Sequence, residues 1–128
     1  MLHNRQFSLW PYARFNDPRL QLGDEFILFS ADALLPPFKI GYYNPHGWIA
    51  YWLDGILFRK QFNADRNLSY PDNNCNAEMY CNDKFVELES LGPLTRLEPG
   101  ASIAHVEKWE ILTKTEFLPE EIRNRLST

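Results

Sequence analysis

The chain has 128 residues, a formal net charge of −4, 45% hydrophobic and 15% aromatic residues, and 23% charged ones, the balance of a globular chain rather than a disordered one. Its acidic character, with a pI near 5.3, speaks against nucleic acid as a partner, because phosphate binding needs clustered Lys and Arg. No apolar run approaches the ~20 residues that cross a bilayer, and Met1-Leu2-His3-Asn4-Arg5-Gln6 lacks the apolar core of a secretion signal. The expectation is a single cytoplasmic domain over residues 1–128 with no membrane partner.

Nine prolines and six glycines punctuate short apolar runs, which is the pattern of many short strands. Residues 25–30 (Glu-Phe-Ile-Leu-Phe-Ser) form the first compact run. Leu34-Leu35-Pro36-Pro37 then breaks the chain, since proline cannot donate to a strand ladder. Residues 38–43 form a second run, closed by the turn Asn44-Pro45-His46-Gly47.

Next come Trp48-Ile49-Ala50-Tyr51-Trp52-Leu53, then Asp54-Gly55, then Ile56-Leu57-Phe58-Arg59-Lys60-Gln61-Phe62. Asp-Gly between two apolar runs predicts a two-residue type I′ hairpin, because both central residues must accept positive φ. The register follows. Leu53 opposes Ile56, Tyr51 opposes Phe58 and Ile49 opposes Lys60 on the face expected to meet the core. Trp48, Ala50, Trp52, Leu57, Arg59 and Gln61 share the other.

Beyond a polar link over residues 63–71, strands are predicted at 77–81, 84–91 and 102–112, the last after the turn Glu98-Pro99-Gly100. Residues 118–126 read as a helix, with proline early, acids in the first turn and arginines in the last. The predicted fold is an all-β antiparallel sandwich with a short C-terminal helix. Cys75 and Cys81 are too few for a disulfide scaffold or a structural zinc site and are expected to be reduced, partly buried thiols. No motif points to a cofactor, and His3, His46 and His105 fall in no metal or triad spacing.

Strand alternation places Glu87 and Glu89 with Phe85 on one face of residues 84–91, and gathers Asn76, Glu78 and Tyr80 on one face of the preceding strand. If the two strands pair with those faces aligned, three acids, an amide and a phenol form one patch. Such a patch suits sugar hydroxyls, and closely held carboxylates raise one another's pKa towards an acid/base range. The alternative is that these acids simply face water. Trp48, Trp52 and Arg59 offer a stacking platform for the apolar face of a sugar, or else belong to a core or an interface.

The motif Tyr70-Pro71-Asp72-Asn73-Asn74-Cys75-Asn76-Ala77-Glu78-Met79-Tyr80 is followed by Phe85-Val86-Glu87-Leu88-Glu89-Ser90-Leu91-Gly92-Pro93, Leu97-Glu98-Pro99-Gly100 and Glu107-Lys108-Trp109-Glu110. Upstream stand Leu9-Trp10-Pro11-Tyr12, Asp17-Pro18-Arg19 and Lys39-Ile40-Gly41. With these motifs in this order, the chain to about residue 112 resembles the galactose-mutarotase-like superfamily, specifically the C-terminal part of a bacterial branch. That resemblance implies a large antiparallel sandwich and, in its enzymes, interconversion of aldose anomers by a carboxylate and an acid, usually histidine. By position, Glu89 is similar to the catalytic glutamate of the hexose-phosphate epimerases, and Glu78 is the other candidate. Lys39, Asn76, Tyr80, Glu87, Trp48, Trp52 and Arg59 are then candidate carbohydrate contacts, for a sugar or a sugar phosphate.

The histidine and arginine of the family's sugar site lie in an N-terminal half that has no counterpart here, so His46 or His105 would have to stand in. Half a sandwich also leaves sheet edges and apolar surface to cover, which predicts a homodimer with Trp10, Trp48 or Trp52 at its interface. Three readings therefore stand: a sugar-binding module, an aldose 1-epimerase, and an interaction or structural protein.

Overall fold

A computed structural model of the chain describes residues 5–31 and 35–126. Leu34 of the predicted break, and the Met1 to Asn4 part of the amino-terminal reading with His3, lie outside the described residues.

The chain runs β1 (Phe7–Leu9), β2 (Leu20–Leu22), β3 (Ile27–Phe29), β4 (Phe38–Tyr42), β5 (Trp48–Leu53), β6 (Ile56–Phe62), α1 (Pro71–Asn74), β7 (Ala77–Cys81), β8 (Val86–Ser90), β9 (Glu107–Thr113) and α2 (Pro119–Leu126). Every strand pair is antiparallel. One sheet has the order β1-β4-β7-β8, a second has β5-β6-β9, and β2-β3 is a separate hairpin. The fold is thus an all-β, sandwich-like assembly with a short C-terminal helix. Among the described residues, no helix is long and apolar enough to cross a membrane.

The β5-β6 hairpin has the expected register, with Leu53 opposite Ile56 and Ile49 opposite Lys60. Asp54 and Gly55 carry φ of 48° and 80° at its turn, as a type I′ connection demands. The expected core face is correct only at the open end, where Ile49 and Phe62 pack with Ala77 and Leu88 between the two large sheets. Towards the turn the burial reverses. Leu53 and Ile56 are exposed, while Leu57 and Arg59 on the other face are buried.

The reason lies in the chain after β9. Thr115 O accepts the Trp52 indole N–H at 2.7 Å, Phe117 packs on Trp52, and Leu126 O accepts an Arg59 N–H at 2.8 Å. These contacts cover the face that alternation alone left for solvent. β9 itself begins five residues later than predicted, because residues 101–106 join no strand. β1 and β2, three residues each, are too short to register as periodic runs.

The β2-β3 hairpin and α2 contribute to the wall of a cavity of about 370 Å³, lined by Phe7, Ile27, Ile40, Trp48, Leu57 and Ile122 among others. Phe29 stacks on Phe38 and Phe26 meets Trp48 edge-on, tying the β2-β3 hairpin to both sheets. Beneath that hairpin Arg19, 3% exposed, is held by Asp17.

α1 is a single unusual turn. Asp72, Asn73 and Asn74 have φ of 50°, 61° and 70°, a run in the left-handed region that Asp and Asn tolerate best but that still costs on the order of 1 kcal/mol per residue. Hydrogen bonds hold it in place. Cys75 N–H donates to Pro71 O at 2.9 Å, Tyr70 N–H to Asn74 Oδ1 at 2.8 Å, and Ser8 Oγ–H to Asp72 O at 2.8 Å.

Candidate functional site

The outward face of the four-stranded sheet is built row by row. One cross-strand row reads Ser8, Gly41, Glu78, Glu89, and the next reads Lys39, Tyr80, Glu87. Alternation along β7 and β8 places Glu78 with Tyr80 and Glu87 with Glu89. Their pairing, Glu78 opposite Glu89 and Tyr80 opposite Glu87, aligns the two acidic faces. β4 supplies the cation.

Lys39 Nζ lies 2.7 Å from Glu78 Oε2, and 2.9 and 3.0 Å from the two Glu89 carboxylate oxygens. Trp10, just past β1, lays its indole over the ammonium with the nitrogen 4.7 Å from the ring centre, a cation–π contact. Tyr80 packs against the partly exposed Phe85. Burial raises the Tyr12 phenol, and Tyr80, Glu89 and Glu87 raise it further against the opposing pull of Lys39.

Gly41 matters to this arrangement. A Cβ there would sit 2.7 Å from Cys75 Sγ, so its absence lets the left-handed turn press against β4. The turn thereby brings the Asp72 carboxyl to Glu78.

The charges are unequal. Burial pulls the Lys39 ammonium towards losing its proton, but its bonds to Glu78 and Glu89 prevail and hold it well above the ordinary lysine range. Burial pushes the Glu78 carboxyl up, and Asp72 and Glu89 push the same way against the opposing pull of Lys39. Glu87 is raised as well, by desolvation and by its bond to Glu89. Glu78 is only 2% exposed, yet its Oε1 has no hydrogen-bond partner among the described residues. A buried polar atom left unpaired in this way is uncommon.

The remaining candidates lie elsewhere. Asn76 gives both ends of its amide to Asn44, accepting from its N–H at 2.6 Å and donating to its carbonyl at 3.0 Å. It clamps the β4-β5 connection. Trp48 packs on Phe26, Trp52 is bonded to Thr115 and stacked near Phe117, and Arg59 is ion-paired with Glu110. The platform read from the hairpin is therefore engaged between elements, with Arg59 buried and Trp48 and Trp52 half-buried, apart from the acidic cluster. Trp10, expected from the sequence at a homodimer interface, is the tryptophan that reaches the site.

Neither described histidine stands beside the carboxylates. His105 Nε2 lies 2.7 Å from Ser90 Oγ, on the opposite face of β8, and the His46 N–H caps Asn44 Oδ1 at 2.9 Å. Cys75 and Cys81 are free and buried, and burial raises the Cys75 thiol. Among the described residues, no three His, Cys, Asp or Glu side chains are grouped as metal ligands.

The arrangement offers hydroxyl acceptors at Glu87 and Glu89, donors at Lys39, Tyr12 and Tyr80, and aromatic surface at Trp10 and Phe85, on an open sheet face rather than in the inter-sheet cavity. A scan against protein-family models, a search of curated proteins and a search of solved structures found no match to this chain.

Proposed function

We propose that this chain is a carbohydrate-binding domain of galactose-mutarotase-like type, acting in the cytoplasm and holding a neutral sugar on the outward face of the β1-β4-β7-β8 sheet. The observation that carries this reading is Lys39, clasped by Glu78 and Glu89 beneath the Trp10 ring. Carboxylates accept sugar O–H groups, an ammonium and phenols donate to them, and a flat indole covers the C–H face. With Glu78, Glu87 and Glu89 set against the single charge of Lys39, the cluster repels a second anion. A neutral hexose therefore fits better than the sugar phosphate that the resemblance equally allows.

Anomer interconversion is the weaker reading. It requires an acid opposite the carboxylate base, and the described histidines are bonded elsewhere. Self-association is supported by a separate observation, the exposed Leu53, Ile56, Trp109 and Ile111 on the three-stranded sheet.

The test is a titration with glucose, galactose and mannose and their 6-phosphates, followed by tryptophan fluorescence. A saturable change is expected with at least one neutral hexose, weakened tenfold or more in Lys39→Met. A flat response across the panel removes the binding reading, and tighter binding of the phosphates removes the charge argument. Exchange of sugar anomers, followed by NMR, is expected to run at its spontaneous rate in the presence of the protein.

A further inference from the structure

We propose that two copies of this chain join through β9, edge to edge and antiparallel, about a two-fold axis at Trp109. The inference rests on the self-association reading and names its surface. β9 pairs with β6 on one side and with no described strand on the other, so its outer edge presents a row of unpaired backbone groups, a template for another strand. Trp109 and Ile111 on this strand and Val106 just before it are 64%, 69% and 75% exposed. Every tryptophan has partners within the chain, Lys39 for Trp10, Phe26 for Trp48, Thr115 for Trp52, and Phe58, Lys60 and Glu107 for Trp109, but Trp109 stays 64% exposed on an open strand edge.

Charge and strand overlap together select the register. A two-fold axis perpendicular to the sheet must pair residues that lie on the same face, so it passes through a residue of the strand. Centred on Glu110, the pairing sets Glu110 against its own copy. Centred on Ile111, it sets Lys108 against Lys114. Like charges directly opposite one another are destabilising. Centred on Leu112, it sets Glu110 against Lys114 but leaves only residues 111–113 of β9 paired. Centred on Trp109, it sets Lys108 against Glu110 on both sides of the axis, Val106 against Leu112, and the two indoles against each other.

Lys108 is free to make this exchange. Its side chain is largely exposed and now reaches Glu110 of its own strand at 2.7 Å, while Glu110 also keeps Arg59. Joining the edges makes one six-stranded sheet, β5-β6-β9 continued through its copy. The contact is one strand edge wide, a narrow strip beside a standard interface of about 800 Å² per partner. The dimer is accordingly concentration-dependent.

The decisive experiment is disulfide trapping. Directly opposed residues of an antiparallel pair have Cα atoms about 4.5–5.5 Å apart, within disulfide range. Trp109→Cys should therefore give a covalent dimer under mild oxidation, run at high protein concentration because the indole area is lost. Ile111→Cys, which faces Glu107 of the other copy, should not, and the wild type with its two buried thiols should not. In sedimentation, Lys108→Glu should weaken the dimer about tenfold, and its exposed position leaves folding intact.

A wild type that sediments as a monomer at 100 μM, a concentration chosen on the order of weak-interface affinities, overturns both self-association and this surface. A dimer that neither cross-links through Trp109→Cys nor responds to Lys108→Glu overturns the surface and leaves self-association standing. Cross-linking through Ile111→Cys in place of Trp109→Cys overturns the register.

Discussion

Two cations sit close together on opposite faces of the β4-β7 pair, Arg19 beneath and Lys39 above, and they are treated differently. Arg19 is enclosed. Asp17 accepts two of its N–H groups at 2.9 and 2.8 Å, Pro36 O accepts another at 2.7 Å, Cys81 Sγ lies 3.2 Å away, and the Phe29 and Phe38 rings flank it. Lys39 faces an excess of acids, beside a buried carboxylate oxygen without a partner, on a face that is open beyond Glu89 and Tyr12. The first arrangement is closed on itself and holds the β2-β3 hairpin to the sheet. The second leaves acceptors accessible at Glu87 and Glu89, the groups that the proposed sugar would use.

Breaking the enclosed pair should have the largest effect on stability. Asp17→Asn leaves Arg19 buried against weaker acceptors and is expected to cost on the order of 3 kcal/mol, the scale of removing one partner from a buried pair, read as a lower denaturation midpoint. Its pH dependence has a definite sign. The bonds from Arg19 hold the Asp17 carboxyl below the ordinary carboxylate range, so its contribution is complete above that range and is lost as pH falls through the lowered value. The variant and the wild type should therefore converge in acid, with sugar affinity unchanged.

The open cluster should respond the opposite way. Lys39→Met strands Glu78 without its counter-charge, costing about 2 kcal/mol near neutral pH as a buried group loses its charged partner. Burial already raises Glu78, and an acid whose folded pKa is raised favours folding below that value and opposes it as pH rises through it. The deficit of Lys39→Met should therefore shrink as pH falls from neutrality through the raised value of Glu78. A gap that stays constant would mean that Glu78 is not the group left uncompensated.

The smallest stability effect is expected at Glu89, whose side chain is partly exposed. Glu89→Gln should lower stability by under ~1 kcal/mol, the scale of solvent-accessible ion pairs, because Lys39 keeps Glu78, yet weaken hexose binding about tenfold. Loss of stability without loss of affinity at Glu89 would place it with the structural pairs and dissolve the contrast with Arg19.

Much of this cluster is legible in the residues themselves. Alternation alone puts Glu78 with Tyr80 and Glu87 with Glu89, and the Asp54-Gly55 turn sets six cross-strand pairs because a two-residue connection leaves no freedom in register. The misplacements share one cause. Asn76 has the right parity for the acidic face, but its amide meets Asn44 across a connection 32 residues away in sequence. Trp52 and Arg59 have the right parity for solvent, but the chain after β9 returns to cover them. Trp10 carries no periodic signal at all, and finds Lys39 only because β1 pairs with β4.

By itself, then, the sequence determined an antiparallel all-β fold, the hairpin register, the position of the C-terminal helix and which acids of one strand share a face. These follow from dihedral preferences and the two-residue period of a strand, which act over a few neighbouring residues. Only the tertiary structure decided that β4 lies between β1 and β7, that Lys39 therefore meets Glu78 and Glu89, that a left-handed turn presses Asp72 on Glu78, and which hairpin face is buried. Those outcomes depend on which distant strands pair and what packs over them, and local backbone preferences do not specify such partners.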